Sequence, residues 1–262
     1  MKLQLLRNAT QVLTVNNKTL LIDPMMASKG SYDAFQQTGN DRKNPLVDLP
    51  LNKQELSDLI VHTDVVLLTH LHLDHWDPIA QQMLPKDVPI LCQPVNVETI
   101  QKAGFTNVQP IADEIIWEGI RINRTNGKHG TGDHEKRMGM VSGYVIYFEG
   151  ESLYIAGDTI WCNDVKQAID RYNPLRIVLN GGAARFVTGD AIVMDINDVI
   201  TVCNYAPNAK VYVVHLEAVN HSTESRAEIN TAIKANGLSE RCFVPEDGAY
   251  LFDNADAAAN AL

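Results

Sequence analysis

The feature that most restricts the fold of this chain is a four-residue apolar run, Val65-Val66-Leu67-Leu68. It breaks at once into Thr69-His70-Leu71-His72-Leu73-Asp74-His75. A strand with no polar position has to be covered on both faces, so it belongs inside a sheet that is enclosed on both sides. Three imidazoles and a carboxylate then lie at one edge of that sheet. In extended backbone His70 and His72 share a face, and Asp74 and His75 follow where the chain must turn. Neutral imidazole and carboxylate suit zinc, iron and manganese. So short a segment does not easily wrap four ligands about one ion, and two cations about 3.5–4 Å apart are the natural arrangement. An isolated His reads as a surface residue, but this cluster directly after a buried strand reads as a metal site.

The rest of the chain supplies a frame for that edge. Short β-branched and aliphatic runs predict strands at 3–6, 11–15 and 19–22, an opening meander with a hairpin turn at Asn16-Asn17. Further strands are expected at 89–92, 108–111, twice within 114–125 about Glu118-Gly119, at 141–149 and 152–156 as a hairpin about Gly150-Glu151, and at 177–179, 210–214 and 250–252. Helical periodicity predicts helices at 53–61, 77–83, 96–103, 163–172, 192–205 and 223–236. Meandering strands followed by alternating strands and helices, in both halves, predict two sheets between layers of helices. One domain is expected over 1–253, with the Ala- and Asn-rich 254–262 as a frayed tail. Residues 27–50 have no period and carry Gly30, Gly39, Pro45 and Pro50, which marks a substrate loop or lid.

Composition narrows the partners. The formal charge is -10, from 22 basic and 32 acidic residues, with no Lys/Arg-rich run, which argues against a nucleic-acid substrate. No apolar stretch approaches the roughly 20 residues of a membrane span, and the N-terminus is too soon polar for a signal peptide, so a cytoplasmic protein is expected. Cys92, Cys162, Cys203 and Cys242 form no CxxC pair and read as buried small residues.

Other candidate ligands stand farther along the chain. Asp158 follows Gly157 after the strand at 152–156, where its carboxylate can project from a sheet edge; a turn or cap role before Thr159 is the bland alternative. His129 lies in a Gly-rich loop, 127–132. Its rival His134 stands among Asp133, Glu135, Lys136 and Arg137 and reads as solvated. His215 directly ends the strand at 210–214. His221 begins a helical pattern beside Ser222 and Thr223 and is the alternative to His215, or else a support or substrate contact, a role also open to Glu217. His62, near a helix end, reads as a surface residue.

In this order the residues resemble the metallo-β-lactamase superfamily. His70-x-His72-x-Asp74-His75 is similar to its HxHxDH signature. Asn8-Ala9-Thr10 and Thr19-Leu20-Leu21-Ile22-Asp23-Pro24 are similar to its opening hairpins, Gly127-Lys128-His129-Gly130 to its third-His segment, Gly157-Asp158-Thr159 to its Gly-Asp-Thr, and the strand before His215 to the one that delivers the last His. The resemblance implies an α/β fold, a four-layer αββα sandwich with a dinuclear site at its mouth. It implies that His70, His72 and His129 hold one cation, that Asp74, His75 and a C-terminal His, His215 before His221, hold another, and that Asp158 bridges them. Two divalent ions are implied, zinc by default, with manganese or iron accepted by the same ligands.

The group that includes ascorbate-6-phosphate lactonases looks nearest. Activated water would then attack a small-molecule ester, lactone or phosphodiester, with Asp74 relaying a proton and His221 assisting. An RNase Z-like nuclease is an alternative, but its long arm and its terminal His motif are not found here. A non-hydrolytic metal-binding or redox protein is another, and the chain leaves no room for a flavodoxin-like partner domain. The oligomeric state is left open by the sequence, although relatives of this kind often form homo-oligomers, and Phe186 and Trp161 are candidates to shape the pocket.

Overall fold

In the computed structural model, which describes residues 1–253, the parity of side chains along the strands decides the layers; the expected tail at 254–262 lies outside the described residues. One sheet contains β1 (Lys2–Arg7), β2 (Thr10–Val15), β3 (Lys18–Ile22), β4 (Val65–Leu68), β5 (Ile90–Cys92), β6 (Val108–Pro110) and β14 (Tyr250–Asp253), in the order β14-β1-β2-β3-β4-β5-β6. Its first half is antiparallel and its second, from β3 to β6, parallel. The other sheet repeats this plan. It contains β7 (Glu114–Trp117), β8 (Ile120–Asn126), β9 (Ser142–Phe148), β10 (Glu151–Ile155), β11 (Arg176–Asn180), β12 (Lys210–Val214) and β13 (Cys242–Phe243), ordered β13-β12-β11-β10-β9-β8-β7. It is antiparallel to β10 and parallel beyond it.

Helices α1 (Lys53–Val61), α2 (Pro78–Met83) and α3 (Val97–Lys102) connect the parallel strands of the first sheet. Helices α5 (Asn163–Tyr172), α6 (Ile196–Tyr205) and α7 (Arg226–Ala235) do so in the second, and α4 (Gly132–Met138) lies between β8 and β9. Leu20, Ile22, Val65 and Leu67 pack between the sheets against Ile122, Tyr144, Ile146, Ile155 and Val214. Leu21, Val66 and Leu68 turn outward, onto Ile60, Ala80, Leu84 and Ile100. On the far side Tyr154, Ile177, Leu179, Val211 and Val213 meet Val165, Ile169, Val199, Val202, Ile229 and Ile233. Both faces of β4 are therefore buried, which is why it has no polar position. The result is the expected αββα sandwich.

Three hairpins use two successive residues with φ > 0, the twist that suits two-residue turns. These are Asn16-Asn17, Glu118-Gly119 and Glu149-Gly150, the last one residue earlier than its sequence suggests. Two helices begin later than their periodicity. The expected helix at 192–205 starts at Ile196 because Asp195 caps it, leaving Ile192 and Val193 in a separate cluster with Ala184. The one expected at 223–236 starts at Arg226 behind a Ser225/Glu228 capping box. Helix α4 and the two-residue β13 were not anticipated, the first because its charged residues show no apolar period and the second because two residues carry none. Among the described residues no helix is long and apolar enough to cross a membrane.

Candidate metal centre

Parallel strands end together, so the carboxyl ends of β4, β10, β11 and β12 share one rim, the usual place for a ligand in open α/β sheets. His70 to His75 follow β4, His129 follows β8, Asp158 follows β10, and His215 is the first residue after β12. Gly157 lets the chain turn there. Its φ is +69°, and a Cβ would lie 2.6 Å from the Ser142 carbonyl oxygen, so a larger residue would push Asp158 away from the rim.

The donor atoms converge in two groups, His70 with His72 and His129, and Asp74 with His75, Asp158 and His215; within each group they lie within 4.8 Å of one another. In the first, His72 Nδ1 is 2.9 Å from His70 Nε2 and 3.3 Å from His129 Nε2. In the second, His215 Nε2 is 3.1 Å from Asp74 Oδ2, and His75 Nε2 is 3.8 Å from it. One atom joins them: Asp158 Oδ2 lies 3.2 Å from His75 Nε2, 3.4 Å from His129 Nε2, 3.8 Å from His215 Nε2 and 3.9 Å from His70 Nε2.

This donor set fits divalent cations. Ligand atoms about 2.0–2.1 Å from a tetrahedral ion sit about 3.3 Å apart, and the spacings above straddle that figure. His75 Nε2, fully buried, has no hydrogen-bond partner, as a ligand nitrogen aimed at an ion would not. Burial pushes the His70, His72 and His129 imidazoles down, His129 to about 4, so all three are neutral ligands at physiological pH. Burial alone would raise Asp158 and Asp74. The imidazoles of His75 and His215 outweigh it and hold both carboxyls well below the usual range. Reciprocally, and against burial, Asp158 and Asp74, joined at His75 by Asp23, raise His75 and His215. Cations entering this group therefore displace protons.

A shell of buried partners aims these ligands. Asp23 Oδ1 accepts from the Thr69 backbone N–H at 2.8 Å, and its Oδ2 accepts from Thr69 Oγ1 at 2.6 Å and from His75 Nδ1 at 2.8 Å. Thr69 Oγ1 in turn lies 3.0 Å from His70 Nδ1 and accepts from it. His129 Nδ1 donates to the Ile192 carbonyl at 2.7 Å, and His72 hydrogen-bonds the Met138 carbonyl. Asn180 Nδ2 donates to Asp158 Oδ1 at 2.7 Å, which leaves Oδ2 as the atom facing both groups. Asn8 Nδ2 reaches Asp74 O at 3.2 Å and Asp74 Oδ2 at 3.4 Å. The sequence reading missed Asn180 and saw in Asn8 and Asp23 only parts of the opening hairpins. For Asp23 and Asn180 the signal available was a lone polar residue closing an apolar run.

The structure separates the paired alternatives. His129 joins the cluster. His134 stacks on Phe186 and pairs with the Thr188 carbonyl at 2.9 Å; it is half-buried in the rim and not solvated as its charged neighbours suggest. His215 joins the cluster, and His221 belongs to neither group. His221 is not at a helix start either: it is buried ahead of the Ser225 cap, edge-on to Phe35 with ring centroids 4.9 Å apart. Glu217 does not support His215; it pairs with Arg226 at 2.6 Å. His62 is exposed at the end of α1, as expected.

Beside the cluster lies a cavity of about 310 Å³, lined by His72, Asp74, His129, Asp158 and His221 and walled by Phe35, Leu73, Met138, Phe186 and Ile192, with Arg137 at its edge. Phe35 and Gln36 bring the 27–50 segment into this wall, and Phe186 lines it as expected. Trp161 does not; it packs on Tyr205 beside α6.

The family described as a beta-lactamase superfamily domain matches residues 18–216. The UPF0173 protein YddR of Bacillus subtilis is 40% identical over 257 residues, 96% of this chain and 100% of that protein. The crystal structure of a possible metal-dependent hydrolase from Veillonella parvula is 35% identical with a TM-score of 0.91, covering 96% of this chain and 98% of that one. An isothiocyanate hydrolase from Delia radicum gut bacteria is 34% identical, also with a TM-score of 0.91, covering 97% and 99%. These relatives lend no support to the finer likeness to ascorbate-6-phosphate lactonases.

Proposed function

The chain belongs to the β-lactamase superfamily, and from that premise we propose that it is a metal-dependent hydrolase of small, uncharged electrophiles with an apolar tail. In this reading His70, His72 and His129 hold one divalent cation, Asp74, His75 and His215 hold a second, and Asp158 serves both. Zinc suits the ligands best, and manganese or iron would be accepted. Bound there, the cations supply a water acidified from about 15.7 toward neutrality and a pull on the substrate's electron pair.

The chain's own residues do the rest. Asp74 stays ionised and lines the cavity, where its carboxylate can relay a proton from the reacting water. His221 is kept neutral, because burial pushes its imidazole down to about 4, and it lines the cavity outside both ligand groups. Its neutral imidazole can donate an N–H hydrogen bond to the leaving atom as charge builds there. Phe35, Leu73, Met138, Phe186 and Ile192 exclude water and take a hydrocarbon tail.

The observation that carries this reading is the opening of one apolar cavity directly onto Asp74, His129 and Asp158. It favours a single-ring or short-chain substrate. Arg137 is the one cation among its lining residues and is engaged by Gln37 Oε1 at 2.8 Å, so a nuclease's phosphate track has no counterpart in this wall. The isothiocyanate hydrolase among the similar structures makes R–N=C=S the first class to try: water adds across the C=N bond to give a thiocarbamate, which releases the amine R–NH₂ and carbonyl sulfide. Lactones and esters present a similar electrophilic carbon.

The test is metal content by plasma mass spectrometry, together with turnover of 2-phenylethyl isothiocyanate, a simple lactone, a nitrophenyl phosphodiester and a short RNA. Chelator-sensitive turnover of the first or second is expected. A purified protein that takes up no metal, or that cleaves only the RNA, would overturn the proposal.

A further inference from the structure

We infer that Asn220 is a positioning residue that fixes the outer wall of the cavity and so selects substrates by the size of their tail, an inference that rests on the hydrolytic reading above for its substrates. Asn220 is 2% exposed, and its amide uses all four hydrogen-bonding positions. Oδ1 accepts from the Phe35 backbone N–H at 3.0 Å and from Asn44 Nδ2 at 2.9 Å. Nδ2 donates to Thr38 Oγ1 at 2.6 Å and to the Phe35 carbonyl at 3.4 Å. Its backbone joins in, the N–H donating to Asn44 Oδ1 and the carbonyl accepting from Asn40 Nδ2, both at 2.8 Å. Every one of these partners lies between residues 35 and 44, more than 170 residues away in sequence. A buried amide that is fully satisfied tolerates one geometry, since any displacement strands several polar groups at once.

What this geometry holds is the aromatic wall. Phe35 is bonded at both its N–H and its carbonyl to Asn220, and its ring meets the ring of His221, the next residue along the chain. Ring and imidazole are therefore set by one hinge point. The same loop is tied on its other side, where the Val187 N–H donates to the Gln37 carbonyl at 2.7 Å and Arg137 reaches Gln37 Oε1. Phe186, whose ring stacks on His134 and carries Arg137 over it, joins Phe35 in the cavity lining. The cavity's width at the tail end is thus the separation of two fastened segments, and Asn220 is the fastening that touches neither the ligands nor the substrate.

The test uses the full chain loaded with zinc. In Asn220→Ala, amides of residues 34–44 should exchange with deuterium about tenfold faster, while those of β4 and β12 keep their protection. The preference for 2-phenylethyl over methyl isothiocyanate should fall about tenfold, mostly through a higher KM for the phenylethyl compound. Thr38→Val, which removes one acceptor and leaves the amide in place, should move both readouts in the same direction by less, and serves if the alanine variant does not fold. Unchanged exchange in 34–44, or an equal loss on both substrates, would overturn the assignment. If the wild-type protein leaves both isothiocyanates intact, the hydrolytic reading falls on its own, and selectivity is then read from the ratio of Kd values for 2-phenylethanethiol and ethanethiol, with the same tenfold change required.

Discussion

Replacing Asp23 by Asn should strip metal from the site while leaving the fold in place. Asp23 meets three buried donors, the Thr69 N–H at Oδ1 and both Thr69 Oγ1 and His75 Nδ1 at Oδ2. Once a cation has displaced the proton from His75 Nε2, that arrangement fixes tautomers: His75 keeps its proton on Nδ1, and His70 carries its own toward Thr69 Oγ1, so both present a bare Nε2 to the cluster. An Asn side chain keeps one acceptor and opposes a donor with the other, whichever way it is turned. Each opposed or lost charge-assisted bond at a buried site is worth about 1.5–3 kcal/mol. The least costly escape is for His75 to move its proton to Nε2, where Asp158 Oδ2 accepts it at 3.2 Å. A protonated Nε2 cannot bind a cation. Loss of such an orienting partner lowers metal affinity about 10–100-fold, which is about 1.4–2.8 kcal/mol. Competition against a chromophoric chelator measures the affinity, and long-range ¹H–¹⁵N correlation reads the His75 tautomer. The metal-free variant should melt only about 2–8 °C below the wild-type protein, from a residual 1–2 kcal/mol. Unchanged affinity for both ions, with His75 still protonated on Nδ1, would refute the reasoning.

Asp158→Ala should lower the occupancy of both ions and abolish turnover, because Oδ2 faces both groups; two retained metals per chain would remove it from the shared position. His215→Ala should reduce metal stoichiometry, whereas His221→Ala should keep the metal and lower kcat by about 10²–10³-fold; plasma mass spectrometry beside steady-state kinetics separates them, and the reverse order would exchange their roles. Glu224, half-buried, is pushed by burial and by Asp195 from 4.5 up to about 7 while accepting from the Ile196 N–H. A raised carboxyl favours folding below its unfolded value of about 4.5 and loses that contribution as pH climbs through about 7. Glu224→Gln should therefore stabilise the protein by about 1 kcal/mol at pH 8, after allowance for partial exposure, and change little at pH 4, as urea melts at the two pH values would show.

The local pattern of residues decided a good deal by itself. Strand parity, paired turn residues and capping are written within a few positions, so β4, the three hairpins and α1 are legible from the chain alone, and a His/Asp cluster straight after a doubly buried strand announces its chemistry without a fold. What tertiary structure alone decided is which distant groups meet. His134 remains a rival to the preferred His129 until α4 turns it onto Phe186, and His221 rivals His215 until the parallel ends of β10 and β12 bring Asp158 to the latter. Asp23, Asn8, Asn180 and Asn220 look like ordinary polar loop and strand-end residues, because nothing near them in sequence needs a partner. Their side-chain partners lie 22 to 185 residues away, and only sheet order and the common rim of the parallel strands carry a hydrogen bond across such a distance.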